Sequence, residues 1–474
     1  MPRIEAVLVE DDLETQVKVI DILARLGYDV EPFSDSLSAR GHADGSNIPD
    51  LIVLDRNIPY AAGGADSSKI GDELLDYMWA KYPDSAFIVF TGKADIEGIH
   101  HALRERGNLT LEPGLSIARV QHFTKQETLK FRAAALKIAQ HFARLNAVEV
   151  IGVTSDELES RILKRVAFHF QGESVTATKL EDGSTSDQVW KCRVVAGFAP
   201  VADIVVKVSR KSVPIGSFQA MLPASTLVAR SLVTLTGLLH GRVVTVYSSA
   251  GEVTGSLHDE IALRPDRAAK FVGEVADGLK VIVEAHGHVE RLQHLVTPYI
   301  TWEDLEGRIS ALGLTPPSPS LPITSLTYAQ HGDLHPGNIL ICGEQAIIID
   351  LDSQTMGSGL VDPIALFWGA VFNKNSKIKN SPWPSEALCA SFPQPKDKAG
   401  SQQLKESLQG CPHPEWVLAV WDWIGSRAAS PREYWALTLA FAARQLKYSD
   451  IRDSALQRSR VDALIRRAVA ALAN

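Results

Sequence analysis

Apolar positions in the first 145 residues of this 474-residue chain come in short unbroken runs, separated by stretches that repeat apolar residues at helical spacing. Glu5–Val9, Leu51–Leu54, Ala86–Phe90 and Arg119–Phe123 read as strands covered on both faces, the pattern of a parallel sheet. Between the first two, Asp12–Leu26 sets Val17, Ile20, Leu23 and Leu26 on one helical face. A last helix runs to about Arg144. Strand and helix signals that alternate in this way predict a doubly wound α/β sheet. The pattern then changes. Thr154-Ser-Asp-Glu157 forms a capping box opening a helix to about Phe170. Glu173–Leu180, Ser186–Val195 and Asp203–Ser209 read as successive strands, and Val243–Tyr247 as a further one. Helices are expected over roughly Ser217–Leu239 and over Asp266–Ala285, where Phe271, Val275, Leu279 and Ile282 make an apolar stripe ended by Gly287. The tail, Trp416 to Asn474, is helical and rich in Trp and Leu. The expected divisions are 1–147, 148–250 and 251–474.

The polar residues just past the first strands change the picture. In open parallel sheets ligands gather at the carboxyl ends of strands. Glu10 and Asp11 follow the first strand, Asp55 the second, Thr91 the third, and Lys125 lies just beyond the fourth. Three carboxylates at one edge repel one another unless a divalent cation sits between them. A threonine hydroxyl and a lysine ammonium suit a phosphoryl group placed on Asp55. Asp12 is expected to cap the first helix instead.

The acidic pair, Asp55 within Leu-Ile-Val-Leu-Asp-Arg-Asn-Ile-Pro59, Thr91 before a small residue, and Lys125 together resemble the receiver domain of two-component response regulators. The resemblance implies a flavodoxin-like sheet and an Asp55 that accepts phosphate from a cognate histidine kinase or a small phosphodonor. It implies Mg²⁺ held by Glu10 or Asp11, by Asp55 and by the backbone carbonyl of Asn57. It puts His122 where receivers carry a switch aromatic, and allows a homodimer through this domain. Two departures stand out. Gln126 follows Lys125, and Tyr60–Lys69 and Gly107–Ile117 exceed a minimal receiver. Both long stretches are expected at the active-site edge, where they would alter access or partner choice.

A second constellation lies downstream, His331-Gly-Asp333-Leu-His335-Pro-Gly-Asn338, followed by Ile347-Ile-Ile-Asp350. Asp333 can orient an attacking hydroxyl and take its proton, while Asn338 and Asp350 offer hard oxygen ligands for Mg²⁺ against nucleotide phosphates. The short gap between Asp333 and Asn338 lets one tight loop aim both into a cleft, and the strand Ala346–Ile349 delivers Asp350 beside them. This run resembles the aminoglycoside phosphotransferase and choline kinase group, relatives of the protein kinases. The resemblance implies an α+β two-lobed fold, Asp333 as catalytic base, Asn338 and Asp350 as metal ligands, and His331 as a scaffold. It also makes Asp362, in Gly359-Leu-Val-Asp362-Pro363, a brace for the loop.

Upstream, Lys207 interrupts the β-branched run Asp203-Ile-Val-Val-Lys207-Val-Ser, and a charge there needs an anionic partner. By resemblance that partner is the α/β-phosphates of ATP or GTP. Gly183, Ser184 and Thr185, between two strands, could bring N–H groups and hydroxyls to the same phosphates. One expected part is missing. Such kinases steady the strand lysine with a helix glutamate, yet no Asp or Glu occurs between Lys207 and Glu252, where Gln219 is the only plausible substitute. The rival reading is therefore a nucleotide-binding signalling scaffold without turnover.

Bulk properties add limits. Hydrophobic content of 45% with 22% charged residues is ordinary for a globular protein, and a net charge of −8 argues against a nucleic-acid surface. The most apolar stretch, Leu227–Val246, is broken by Arg230, His240 and Arg242, so no membrane span is expected. The chain opens without a secretory pattern. Cys192, Cys342, Cys389 and Cys411 form no C-x-x-C pair and read as reduced, which suits the cytoplasm. His286, His288 and His294 read as a solvated helix end rather than a metal site. The expected whole is a response regulator whose output is an ATP-dependent phosphotransferase, its acceptor not legible.

Overall fold

The computed structural model describes residues 4–45, 48–92, 107–152, 157–180, 188–209, 222, 228–249, 251, 253–280, 282–395, 402, 404–406, 408, 411 and 414–473. The chain forms two compact units, Met1–Ser212 with Ser231–Ser249, and Val213–Arg230 with Ala250–Asn474.

The first unit begins with β1 (Ile4–Val9), α1 (Leu13–Arg25), β2 (Tyr28–Phe33), α2 (Ser36–Ala43) and β3 (Leu51–Leu54). A small pair, β4 (Ile58–Pro59) with β5 (Asp66–Ser67), leads to α3 (Ser68–Lys81) and β6 (Ala86–Thr91). The hairpin β7 (Asn108–Glu112) and β8 (Leu115–Ala118) precedes β9 (Val120–Thr124) and α4 (Thr128–Asn146). The main sheet runs β2-β1-β3-β6-β9 with every neighbouring pair parallel. That is the flavodoxin-like doubly wound order, as the receiver resemblance implies.

Strands β3 and β6 are buried throughout because helices cover both faces. The sequence reading missed β2. Its Tyr-Asp-Val-Glu-Pro-Phe carries acids and a proline, which only an outermost strand tolerates. The β7–β8 hairpin corrects an expectation. Residues 107–118 do not stand at the active-site edge. They enter β9 at its amino end, where the Arg119 N–H donates to the Gly107 carbonyl and its own carbonyl accepts from Phe87.

The rest of this unit is an antiparallel sheet with one helix. After β10 (Glu149–Ile151) comes α5 (Glu157–His169), then β11 (Ser174–Lys179), β12 (Gln188–Ala196), β13 (Ala199–Ser209), β14 (Ser231–Leu235) and β15 (Val243–Ser248). The order is β10-β11-β12-β13-β15-β14, all antiparallel except β10 with β11. Trp190, Cys192, Val206 and Val246 bury one face against Ile162, Leu163 and Val166 of α5. The expected helix over Ser217–Leu239 is not what forms at its described end: Ser231–Leu235 is the edge strand β14. Val233 and Thr234 are β-branched, and strand pairing to β15 outweighs the apolar run.

The second unit is α+β. It contains β16 (Gly255–Ser256), α6 (Leu257–Leu263), α7 (Pro265–Gly278), β17 (Ile282–Arg291), α8 (Trp302–Ala311) and β18 (Pro322–Gln330). Next come β19 (Ile339–Cys342), β20 (Gln345–Ile348), β21 (Thr355–Ser358) and α9 (Val361–Phe372). The tail supplies α10 (Pro414–Arg427), α11 (Pro431–Gln445) and α12 (Ala455–Ala473). Helix α7 is shorter than expected. It stops at Gly278, and Ile282 begins strand β17, so Ile282 and His286 to His288 lie on a strand and not at a helix end. Every residue of α9 is buried, as a helix apolar on all sides must be. Its own Phe367 and Trp368 pack ring against ring with Phe392, and Phe367 also with Trp416. No described helix is long and apolar enough to cross a membrane.

Candidate functional site

The receiver-type edge is assembled as its strands dictate. Carboxylate oxygens of Glu10, Asp11 and Asp55 lie within 4.8 Å of one another. Lys125 Nζ lies 2.6 Å from Asp55 Oδ2 and 2.8 Å from Glu10 Oε2. Burial, above all, pushes Glu10 up to about 7; Lys125 pulls it down and Asp55 pushes it further up. Asp11 is also raised, first by partial loss of water around its carboxyl and then by the charge of Asp55. The Asn57 N–H donates to Asp55 Oδ1 at 3.1 Å, which turns the chain after β3 and keeps Asn57 at the rim. Asp12 caps α1 by accepting from the Thr15 N–H at 3.1 Å. Thr91 is fully buried, and its hydroxyl has no hydrogen-bond partner among the described residues. His122 sits on β9 opposite Val89 and is half-buried.

Two supports of this edge went unread in the sequence. Arg56, beside Asp55, forks onto Asp72 of α3 at 2.8 and 2.9 Å. Gly71 lets α3 approach, since a Cβ there would lie 2.0 Å from the Arg56 carbonyl oxygen. Neither pair is near enough in sequence to suggest contact.

The catalytic-type loop is built around one imidazole. His331 Nδ1 accepts from the Asp333 N–H at 3.3 Å, while Nε2 donates to the Ile349 carbonyl at 2.7 Å. One ring therefore ties the backbone at Asp333 to the residue before Asp350. The Ile349 N–H donates to the Asn338 carbonyl at 2.9 Å, and Asn338 Nδ2 donates to the Asp333 carbonyl at 2.9 Å. This bond engages the side-chain nitrogen of Asn338 and leaves its oxygen to face elsewhere. The three residues share one neighbourhood. His335 is lowered chiefly by burial, and the charges of Asp333 and Asp350 both oppose that lowering. Asp350 adopts left-handed backbone angles, φ 61° and ψ 57°, strain that protein sites sustain where a side chain must be aimed.

Asp362, at the start of α9 and fully buried, accepts from the His331 and Gly332 N–H groups at 2.9 Å each. Gly332 has φ 83°, and a Cβ there would stand 2.1 Å from the Ser353 carbonyl oxygen. Arg444, from the last turn of α11, was not foreseen: its Nη1 lies 3.5 Å from Asp333 Oδ1. Nothing in the local sequence signals it, because the helix packing alone brings it there.

Lys207 lies in β13 opposite Val189 and Thr245. Gly183, Ser184 and Thr185 fall outside the described residues, as do Thr154–Asp156 of the expected capping box and Gln219.

No family model matches the chain, and no curated protein matches it. Solved structures do resemble parts of it. A CheY-like response regulator receiver domain from Methanospirillum hungatei JF-1 is 20% identical over 29% of this chain and 97% of its own, with a TM-score of 0.22. A thermostable mutant of the aminoglycoside phosphotransferase APH(4)-Ia, in ternary complex with AMP-PNP and hygromycin B, is 14% identical. That match covers 61% of this chain and 93% of the other, at a TM-score of 0.34. A second mutant of that enzyme, with ADP and hygromycin B, is also 14% identical, over 63% and 96%, at 0.36. In fold, the chain is a flavodoxin-like doubly wound sheet followed by a mainly antiparallel sheet and an α+β part.

Proposed function

We propose that the protein is a two-component response regulator whose output is an ATP-dependent phosphotransferase acting on a hydroxyl acceptor, controlled by phosphorylation of Asp55. The observation that supports the enzymatic half is the backbone tie by which His331 joins the Asp333 N–H to the Ile349 carbonyl, one residue before Asp350, while Asn338 bonds the Asp333 carbonyl. Asp333 orients the acceptor hydroxyl and takes its proton, and Arg444 beside it steadies that carboxylate. Lys207 neutralises nucleotide phosphate charge from the small-lobe sheet. Asn338 and Asp350 are the residues that would hold Mg²⁺, which when bound supplies charge neutralisation at the phosphates. Most of the rate then comes from positioning and electrostatics.

The receiver half rests on the paired Lys125, the acidic trio and the Thr91 hydroxyl, which has no partner among the described residues. Glu10, Asp11, Asp55 and the Asn57 carbonyl fit a divalent cation, because three crowded carboxylates with Glu10 raised to about 7 gain from an added positive charge. Asp55 accepts the phosphoryl group, and Thr91 and Lys125 hold its oxygens, with His122 reporting the state. The partner is a histidine kinase or a small phosphodonor, and the cytoplasm is the compartment where both occur.

A second reading, a nucleotide-binding scaffold without turnover, is favoured by the absence of any Asp or Glu between Lys207 and Glu252. Mg-ATP consumption in wild type and in Asp333→Ala separates the two. Turnover lost in the variant supports the enzyme; equal nucleotide binding with no turnover in either supports the scaffold. Phosphodonor treatment followed by intact mass tests the receiver, whose labelling must vanish in Asp55→Ala.

A further inference from the structure

The two sheets of the first unit meet at a joint built from buried charge. Asp84 stands just before β6 and is 7% exposed. Its carboxylate accepts from the N–H groups of Gly237 at 2.6 Å, of Leu239, and of Gly241 at 3.2 Å. Its carbonyl accepts from the Leu238 N–H at 3.0 Å. This turn links β14 to β15. Its backbone is left-handed at Gly237, Leu238, His240 and Gly241, with φ 87°, 59°, 54° and 70°. Two of these are not glycine, so the conformation is disfavoured on its own. The converging N–H groups form an anion-holding nest, and the anion in it is the Asp84 carboxylate. Leu238 is 4% exposed and belongs to the core of the receiver sheet with Leu109, Ile117 and Phe142.

A second buried acid doubles the joint. Asp50, just before β3, holds Arg161 of α5 at 2.5 Å, and Arg161 donates to His240 of the same turn at 2.8 Å. Arg165, one helical turn on, donates to the Thr110 carbonyl and to His141 Nε2, so the β7–β8 hairpin is part of the joint. A contact of this kind is a weld and not a tether.

The placement of these acids gives it meaning. Strand β3 carries Asp50 at one end and Asp55 at the other. Strand β6, its direct neighbour, is flanked by Asp84 and ends in Thr91. The gripped turn runs into β15, whose Thr245 pairs with Lys207 of β13. We propose that phosphorylation of Asp55 reaches the small-lobe sheet through β3 and β6, which pass displacement to the grip of Asp50 and Asp84 on the 236–241 turn. The sheet bearing Lys207 is shifted, not released. Close-packed interiors are suited to this, because they transmit strain rather than absorb it. The proposal rests on Asp55 being the phospho-acceptor.

The test uses the full chain with Mg²⁺ and beryllofluoride as phosphoryl mimic, its binding followed by fluorine NMR. Hydrogen exchange at Gly237, Leu239 and Gly241 should be slowed by roughly 100-fold or more, as in core strands, and should change when beryllofluoride binds. AMP-PNP affinity should move about fivefold or more with the mimic in wild type. That shift should disappear in Asp84→Asn while the bound fluorine signal stays. Exchange typical of an open loop, an unaltered affinity on binding, or an affinity shift that survives Asp84→Asn would each overturn the route while leaving the receiver intact. Should Asp84→Asn not fold, the exchange measurements on wild type decide alone. No bound fluorine signal in wild type removes the phospho-acceptor reading and this route with it.

Discussion

Glu433 is a carboxyl with no access to water, held by the Ser358 hydroxyl at 2.6 Å and the Ala429 N–H at 2.7 Å. Burial outweighs both bonds and pushes it from its ordinary 4.5 up to about 7. A raised folded pKa means that the folded chain binds the proton more tightly, so stability is full below 4.5 and is lost as pH rises through about 7. Replacing Glu433 with Gln should remove this dependence. Urea unfolding from acid to neutral pH should show the variant gaining on wild type by about 3 kcal/mol. A constant difference would mean that Glu433 does not titrate there. A second residue-scale case is Gly332→Ala, whose Cβ would strike the Ser353 carbonyl at 2.1 Å while φ stays at 83°. On the proposed phosphotransferase reading, turnover should fall by about 100-fold or more, since small misplacements of reacting groups cost that much, and initial rates against Mg-ATP check it. The need for Gly332 is legible within the motif; the need for Glu433 is not, because a buried glutamate on a helix looks like any surface one.

Among elements, α9 couples packing to chemistry most directly. It is buried on every side, and its first turn offers Asp362 to two backbone N–H groups of the catalytic-type loop. Asp362→Ala leaves both donors buried without partners, at about 1–3 kcal/mol each. Urea denaturation should therefore register a loss of about 2–6 kcal/mol, with Asp362→Asn recovering part of it. Equal stability of Asp362→Ala and wild type would show that water replaces the carboxylate. The strands that the chain announces, such as Leu51–Leu54 and Ala86–Phe90, are those whose neighbours cover both faces. Two that it conceals, β2 and β14, are edge strands. In β2 and β14, acids, proline or a long apolar context mask the pattern, and only pairing with β1 or β15 decides the conformation.

At the scale of the whole molecule, two sites of opposite design stand out. The receiver edge gathers three carboxylates against one lysine. Labelling of Asp55 by acetyl phosphate should accordingly need a divalent ion. EDTA should abolish it and Mg²⁺ restore it, with intact mass as the readout, and Asp11→Asn should weaken it. Labelling undiminished in EDTA would mean that Lys125 alone holds the phosphoryl group. The catalytic-type loop instead spreads Asp333, Asn338 and Asp350 along a backbone tied by His331.

What the sequence by itself determined is the local chemistry. Strand ends carrying acids, a loop with Asp333 and Asn338 at fixed spacing, and an apolar strand before Asp350 are short-range facts, set by residue type and periodicity. Tertiary structure alone decided the remote partners: Arg444 against Asp333, Arg56 on Asp72, and Asp84 filling the turn at 236–241. Such pairs depend on how helices and sheets pack. Charge and hydrogen-bond complementarity act through space over a few ångströms, however far apart the residues lie along the chain.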